Sequence, residues 1–156
     1  MTLRAAASSR RGSCLAPRRA FLRALAALPA WSLARGARAD GPPRVVSVGG
    51  AVTEIVYRLG GERYLVAADT TSTFPAATQA LRKVGYQRAL SAEGILALDP
   101  TMLLAAPEAG PPPAIAQLEA AGVRIVRASG EFTFESLLAN VDLVARSLAL
   151  VPAGKA

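Results

Sequence analysis

The sequence predicts an α/β fold: a parallel sheet of four to five strands with flanking helices. Three observations carry this. After residue 44, short β-rich apolar runs alternate with segments of helical periodicity. Runs such as Val-Val-Ser-Val and Met-Leu-Leu-Ala are near-continuously apolar, as strands buried on both faces are. The length, 156 residues, suits one cored domain rather than two.

Residues 44–48 form the first strand and stop at Gly49-Gly50. Residues 53–59 read as a helix with Ile55, Val56 and Leu59 on one face and Gly60-Gly61 as its stop. Residues 64–68 are a second strand, followed by the polar loop Asp69-Thr70-Thr71-Ser72-Thr73. Pro75 opens a short helix to Leu81, and a brief extended piece ends at Val84. Ser91 is the N-cap of a helix to Leu98, and Asp99-Pro100 breaks the chain. Residues 101–105 are a buried strand. Pro112 or Pro113 starts a helix over 114–121 that Gly122 ends, residues 123–126 form the next strand, and Thr133 caps a last helix over 134–148. Helices between strands imply a parallel sheet covered on both faces, with ligands gathering at the strands' carboxyl ends. The loops falling there are Gly49-Gly50, 69–73, 85–88 and 107–113.

The net charge of +7 is misleading. Residues 1–39 hold eight arginines and no acid, whereas residues 40–156 hold ten basic against eleven acidic residues, net −1. The part expected to fold lacks the electrostatic footprint of a nucleic-acid binder. With no histidine and one cysteine, zinc fingers, Ser-His-Asp or Cys-His catalysis and intrachain disulfides are excluded.

Residues 1–39 read as an export signal. Arg18-Arg19-Ala20-Phe21-Leu22-Arg23 resembles the twin-arginine translocation pattern, residues 22–33 supply a short apolar stretch, and Ala37-Arg38-Ala39 is a small-x-small cleavage site before Asp40. A mitochondrial transit peptide is the competing reading, being also Arg-rich and acid-poor. The order of paired arginines, apolar run and cleavage site favours bacterial export. Cys14 precedes the apolar run and follows no aliphatic lipobox residue, so it is not a lipid-anchor cysteine. Residues 40–156 form the mature lobe.

Two segments could carry chemistry. Gly49 to Glu54 follows a strand and opens a helix, a context for an anion, yet it lacks G-x-G-x-x-G and G-K-[ST], so the nucleotide signal is weak and a tight turn with an acidic residue in the first helical turn is the plainer reading. In Gly85-Tyr86-Gln87-Arg88, an extended backbone puts Tyr86 and Arg88 on the same side. A guanidinium beside a phenol favours the phenolate, an anionic oxygen ligand suited to ferric iron, and tyrosine is a known axial haem ligand. The bland alternative is a packed surface tyrosine.

Residues 45–55, Asp69-Thr70-Thr71-Ser72 and the block from Lys83-Val84-Gly85-Tyr86-Gln87-Arg88 through Ala92-Glu93-Gly94-Ile95-Leu96 together resemble periplasmic haem-binding proteins, the substrate-binding components of bacterial haem ABC importers. The resemblance runs from about residue 44 to 150. It implies the Rossmann-like N-terminal lobe of a two-lobed binding protein, located in the periplasm, with haem as transported ligand and no enzymatic activity. It implies Tyr86 as axial ligand to the haem iron, Arg88 and Gly85 as its support, and Thr70, Thr71 and Ser72 as pocket-lining residues. It implies Glu93 as a contact to the permease. The partners it implies are haem, the permease and ATPase of the importer, and an outer-membrane haem receptor system, with no nucleic acid. The chain stops about where the helix joining the two lobes begins in that family, so the second lobe is expected to be absent. The competing readings are a binding protein for a corrinoid or ferric siderophore, a small exported α/β enzyme, and a fragment with no function of its own.

Overall fold

The computed structural model describes residues 41–150; the export signal proposed for residues 1–39 lies outside them. The chain forms β1 (Val45–Val48), α1 (Gly50–Arg58), β2 (Leu65–Ala68), β3 (Arg82–Lys83), α2 (Ala92–Leu96), β4 (Met102–Ala105), α3 (Pro112–Ala120), β5 (Arg124–Arg127) and α4 (Phe134–Ser147), with 3₁₀ turns at Glu62–Tyr64 and Ala76–Ala80. The strands make one parallel sheet in the order β3-β2-β1-β4-β5. The extended piece before Val84 is the fifth strand, two residues long, at the sheet edge.

Alternation along the strands divides the core. Val45, Met102, Leu104 and Val126 face α1 and α4, while Val46, Val48, Leu103 and Ala105 face α2 and α3. Both faces are therefore covered, which is why β1 and β4 can be apolar at every position but Ser47. Ser91 caps α2 by accepting from the Gly94 amide, and Thr133 caps α4 in a reciprocal pair with Ser136.

Two expectations need correction. α1 begins at Gly50, three residues earlier than its periodicity suggests, so Glu54 falls beyond its first turn and does not serve the helix dipole there. Thr53 is instead fully buried, its hydroxyl 2.7 Å from those of Ser47 and Ser72 and donating to the Gly49 carbonyl at 3.1 Å. The 85–88 segment is not extended: the Ala89 amide bonds back to the Tyr86 carbonyl at 2.8 Å, closing a turn. Gly85, at φ 93°, makes the bend into it. Side-chain alternation therefore does not set the relation of Tyr86 to Arg88.

Candidate ligand-binding site

Because all strands run one way, the turns after β1, β2, β3 and β4 meet along one edge, as the sequence suggested. The chain leaves β1 for β2 on one side and later returns for β4 on the other, so the order of the strands reverses between β1 and β4 and a crevice forms at their carboxyl ends. A cavity of about 310 Å³ lies there. Gly49, Ala106 and Pro107 come from the turns after β1 and β4, Gly50, Val52 and Ile55 from α1, Ser136 and Leu137 from α4, and Gln87 from the turn after β3. The segment after β5 adds Phe132, whose side chain is 101% exposed, and next to it Phe134 is 69% exposed. Large apolar surface left open beside a concave crevice marks a binding edge.

Gly49 is what lets the turns approach. At φ 105° its backbone occupies a region closed to most side chains, and a Cβ placed there would lie 2.5 Å from that of Ala106. On the other side, Arg127 donates from one guanidinium nitrogen to the carbonyls of Pro107 at 2.9 Å and Ala109 at 3.2 Å, tethering the turn after β4.

Asp69, the first residue after β2, is fully buried. One carboxylate oxygen accepts from the Gly49 amide at 2.9 Å and the Ser72 hydroxyl at 2.5 Å; the other accepts from the Thr71 amide at 3.0 Å and from the Thr71 hydroxyl. Burial alone pushes this carboxyl up, but the Ser72 and Thr71 hydroxyls and the Gly49 and Thr71 amides together outweigh it and hold the pKa below the ordinary aspartate value. A depressed folded-state pKa contributes stability that is complete above the unfolded value of about 3.9 and is lost as pH falls through the folded one. Urea midpoints should therefore fall below about pH 4, more steeply for the wild type than for Asp69→Asn; equal slopes would mean that the carboxylate is not held this way.

The residues singled out in the sequence fare differently. Tyr86 is 48% exposed and Arg88 is exposed, both in the turn at the carboxyl edge, flanking Gln87 at the cavity lip. Neither lines the cavity itself. Thr70 is exposed, and its amide donates to the Gly85 carbonyl at 2.9 Å. Ser72 does not line a pocket: it is buried and spent on Asp69, as is the Thr71 hydroxyl. A buried carboxylate two and three residues earlier in the chain claims the Thr71 and Ser72 hydroxyls. Glu93 lies in the first turn of α2 and is exposed. Asp69, Gln87, Arg127 and Phe132 were not singled out. Only Asp69 had a local signal, an aspartate followed at two and three residues by hydroxyls.

The sequence profile of the family described as periplasmic binding protein matches residues 45–154. The chain belongs to this family. Periplasmic binding proteins bind solutes and are not enzymes, so the exported-enzyme reading is set aside. Among solved structures, this periplasmic binding protein resembles the periplasmic haem-binding protein BhuT, solved with two haems, at 47% identity and a TM-score of 0.71 over 74% of this chain and 44% of that one. A periplasmic haem-binding protein from Pseudomonas aeruginosa gives 45% identity and a TM-score of 0.71 over 74% of this chain and 41% of that one. A vitamin B12-binding protein of Vibrio campbellii is 31% identical over 105 residues, which are 67% of this chain and 38% of the relative. The chain spans less than half the length of each of these three proteins.

Proposed function

We propose that this chain binds haem in the periplasm, with Tyr86 as ligand to the ferric iron, for delivery to an ABC import permease and its ATPase. The observation that carries this is the placement of the tyrosines. The sequence has three tyrosines and no histidine. Tyr57 lies on α1 and packs against the core, where burial and then the Glu62 carboxylate raise its pKa and oppose the phenolate. Tyr64 precedes β2, at the opposite edge of the sheet, and its hydroxyl accepts from Arg63 at 2.8 Å. Tyr86 alone of the three stands at the carboxyl edge, with its phenol open. An exposed phenol oxygen, next in the chain to Gln87 at the rim of a cavity that Phe132 and Leu137 also line, suits a flat, mostly apolar iron macrocycle approaching from outside. Arg88 is exposed in the same turn, two residues after Tyr86, and Gly85 provides the bend. Identities of 47% and 45% to haem-binding structures add support.

The corrinoid reading has its own observation, since the vitamin B12-binding relative reaches 31% identity. Parallel titrations of the full chain with ferric haem and with cobalamin separate the two. Haem is expected to bind with a tyrosinate-type absorption while cobalamin passes through; retention of cobalamin in preference to haem would replace this reading with the corrinoid one.

Glu93 is proposed as a contact to the permease. Glu93→Ala should leave haem affinity unchanged and reduce haem uptake by cells that depend on this protein; unchanged uptake would remove the docking role. Export through the twin-arginine route, with cleavage after Ala39, is proposed for residues 1–39. Replacing Arg18 and Arg19 by lysine should leave the precursor in the cytoplasm, and undiminished export would point to another route.

A further inference from the structure

We infer that Asp69 is the positioning residue of the site: a buried carboxylate that locks the turn after β1 to the loop after β2 and, through the next amide, sets the place of the Tyr86 turn. The inference rests on reading Tyr86 as the iron ligand. A fully buried carboxylate is costly, and this one is held by four neutral donors. Those four bonds use about all the acceptor sites a carboxylate has. An asparagine of the same shape would turn an NH₂ toward N–H and O–H donors on one side, so the arrangement needs the anion. A purely space-filling role needs no charge.

What the anion holds explains the cost. Its bond to the Gly49 amide ties the turn after β1, which Gly49 brings against Ala106 on the far side of the crevice. Its two bonds to Thr71 shape the loop after β2, so that the Thr70 amide points at the Gly85 carbonyl at 2.9 Å, one residue before Tyr86. The other end of the Tyr86 turn is fixed by Gly110, whose amide donates to the Gln87 carbonyl at 2.9 Å and whose carbonyl accepts from Leu90 at 2.8 Å. The tyrosine is thus suspended between two anchors, and Asp69 governs the one connected to the crevice. An exposed turn would otherwise sample many positions, and an iron ligand must be held within a fraction of an ångström of its bonding place.

The test is Asp69→Asn in the full chain, read in two ways. Without haem, amide hydrogen exchange at Thr70, Thr71 and Ala89 should rise at least about tenfold, while amides of β4 and β5 keep their protection. With ferric haem as probe, the tyrosinate absorption should weaken and the affinity fall about tenfold, the range seen when a group orienting a metal ligand is lost. Wild-type exchange at those three amides overturns the inference, as does an unaltered absorption in a variant whose exchange has risen. Tyr86→Phe is run alongside. If the absorption survives in that variant, or the wild type takes up no haem, the iron-ligand reading fails and the exchange measurement still decides whether Asp69 fixes the turn. Should Asp69→Asn not fold, Thr71→Val and Ser72→Ala take its place, each removing one hydroxyl donor. Local loosening of the same amides supports the inference; unchanged exchange, or loosening spread evenly over the sheet, overturns it.

Discussion

Tyr86→Phe is expected to abolish the phenolate-to-iron absorption and to weaken ferric haem binding about a hundredfold or more, roughly 2.8 kcal/mol. The variant deletes one oxygen from a side chain that is about half exposed. The bonds shaping its turn, from Thr70 to Gly85, from Ala89 to Tyr86 and from Gly110 to Gln87, are all between backbone groups. Folding stability should therefore change by no more than about 0.5 kcal/mol, the usual range for surface substitutions. The loss falls on the iron. No histidine exists to replace the phenol, and Met102 is buried in β4. Absorbance titration of both proteins measures the effect, and equal spectra and affinities would place the ligand elsewhere.

Gly49→Ala should be the most destabilising single change in the site. Two costs combine: a backbone at φ 105° that alanine resists, about 1–3 kcal/mol, and a methyl group driven to 2.5 Å from Ala106, costing about as much again. Together about 2–6 kcal/mol is lost, against a total of about 5–15 kcal/mol for an ordinary domain. Gly85→Ala is the informative comparison. Its φ of 93° is equally unusual, yet the nearest atom to a new methyl would be the Ala89 carbonyl oxygen at 3.8 Å, so only the backbone cost applies. Urea unfolding of the two variants should show Gly49→Ala losing clearly more; equal losses would mean that β4 yields and the close approach is soft.

The layout of the fold was legible because its determinants are local. Apolar runs such as Val45 to Val48 announce buried strands, and Ser91 and Thr133 announce helix starts by the chemistry of their side chains. From strands and helices in alternation the carboxyl-end edge follows, and with it the placement of four of the loops that build the site. What escaped depends on contacts across the chain. Thr71 and Ser72 look like hydroxyls available to a ligand until Asp69 is seen to be buried. The Tyr86 turn looks extended until the Ala89 amide closes it. Phe132 carries no signal at all, since an exposed phenylalanine in a loop reads in sequence like a buried one.

The order of the strands also bears on how the chain becomes a protein in time. β1 sits between β2 and β4, and both arrive after it: Val45 pairs with Leu65 on one side and with Met102 on the other. During synthesis the four residues of β1, apolar except for Ser47, therefore remain without a complete partner until more than fifty further residues have been made. Parallel pairing over such separations is slow, because loop closure must precede any reward from contact. A newly made chain thus spends its early life with an adhesive central strand exposed, and a chaperone holding residues 45–48 until β4 emerges would raise the yield of folded protein more than one acting on the outer strands β3 or β5.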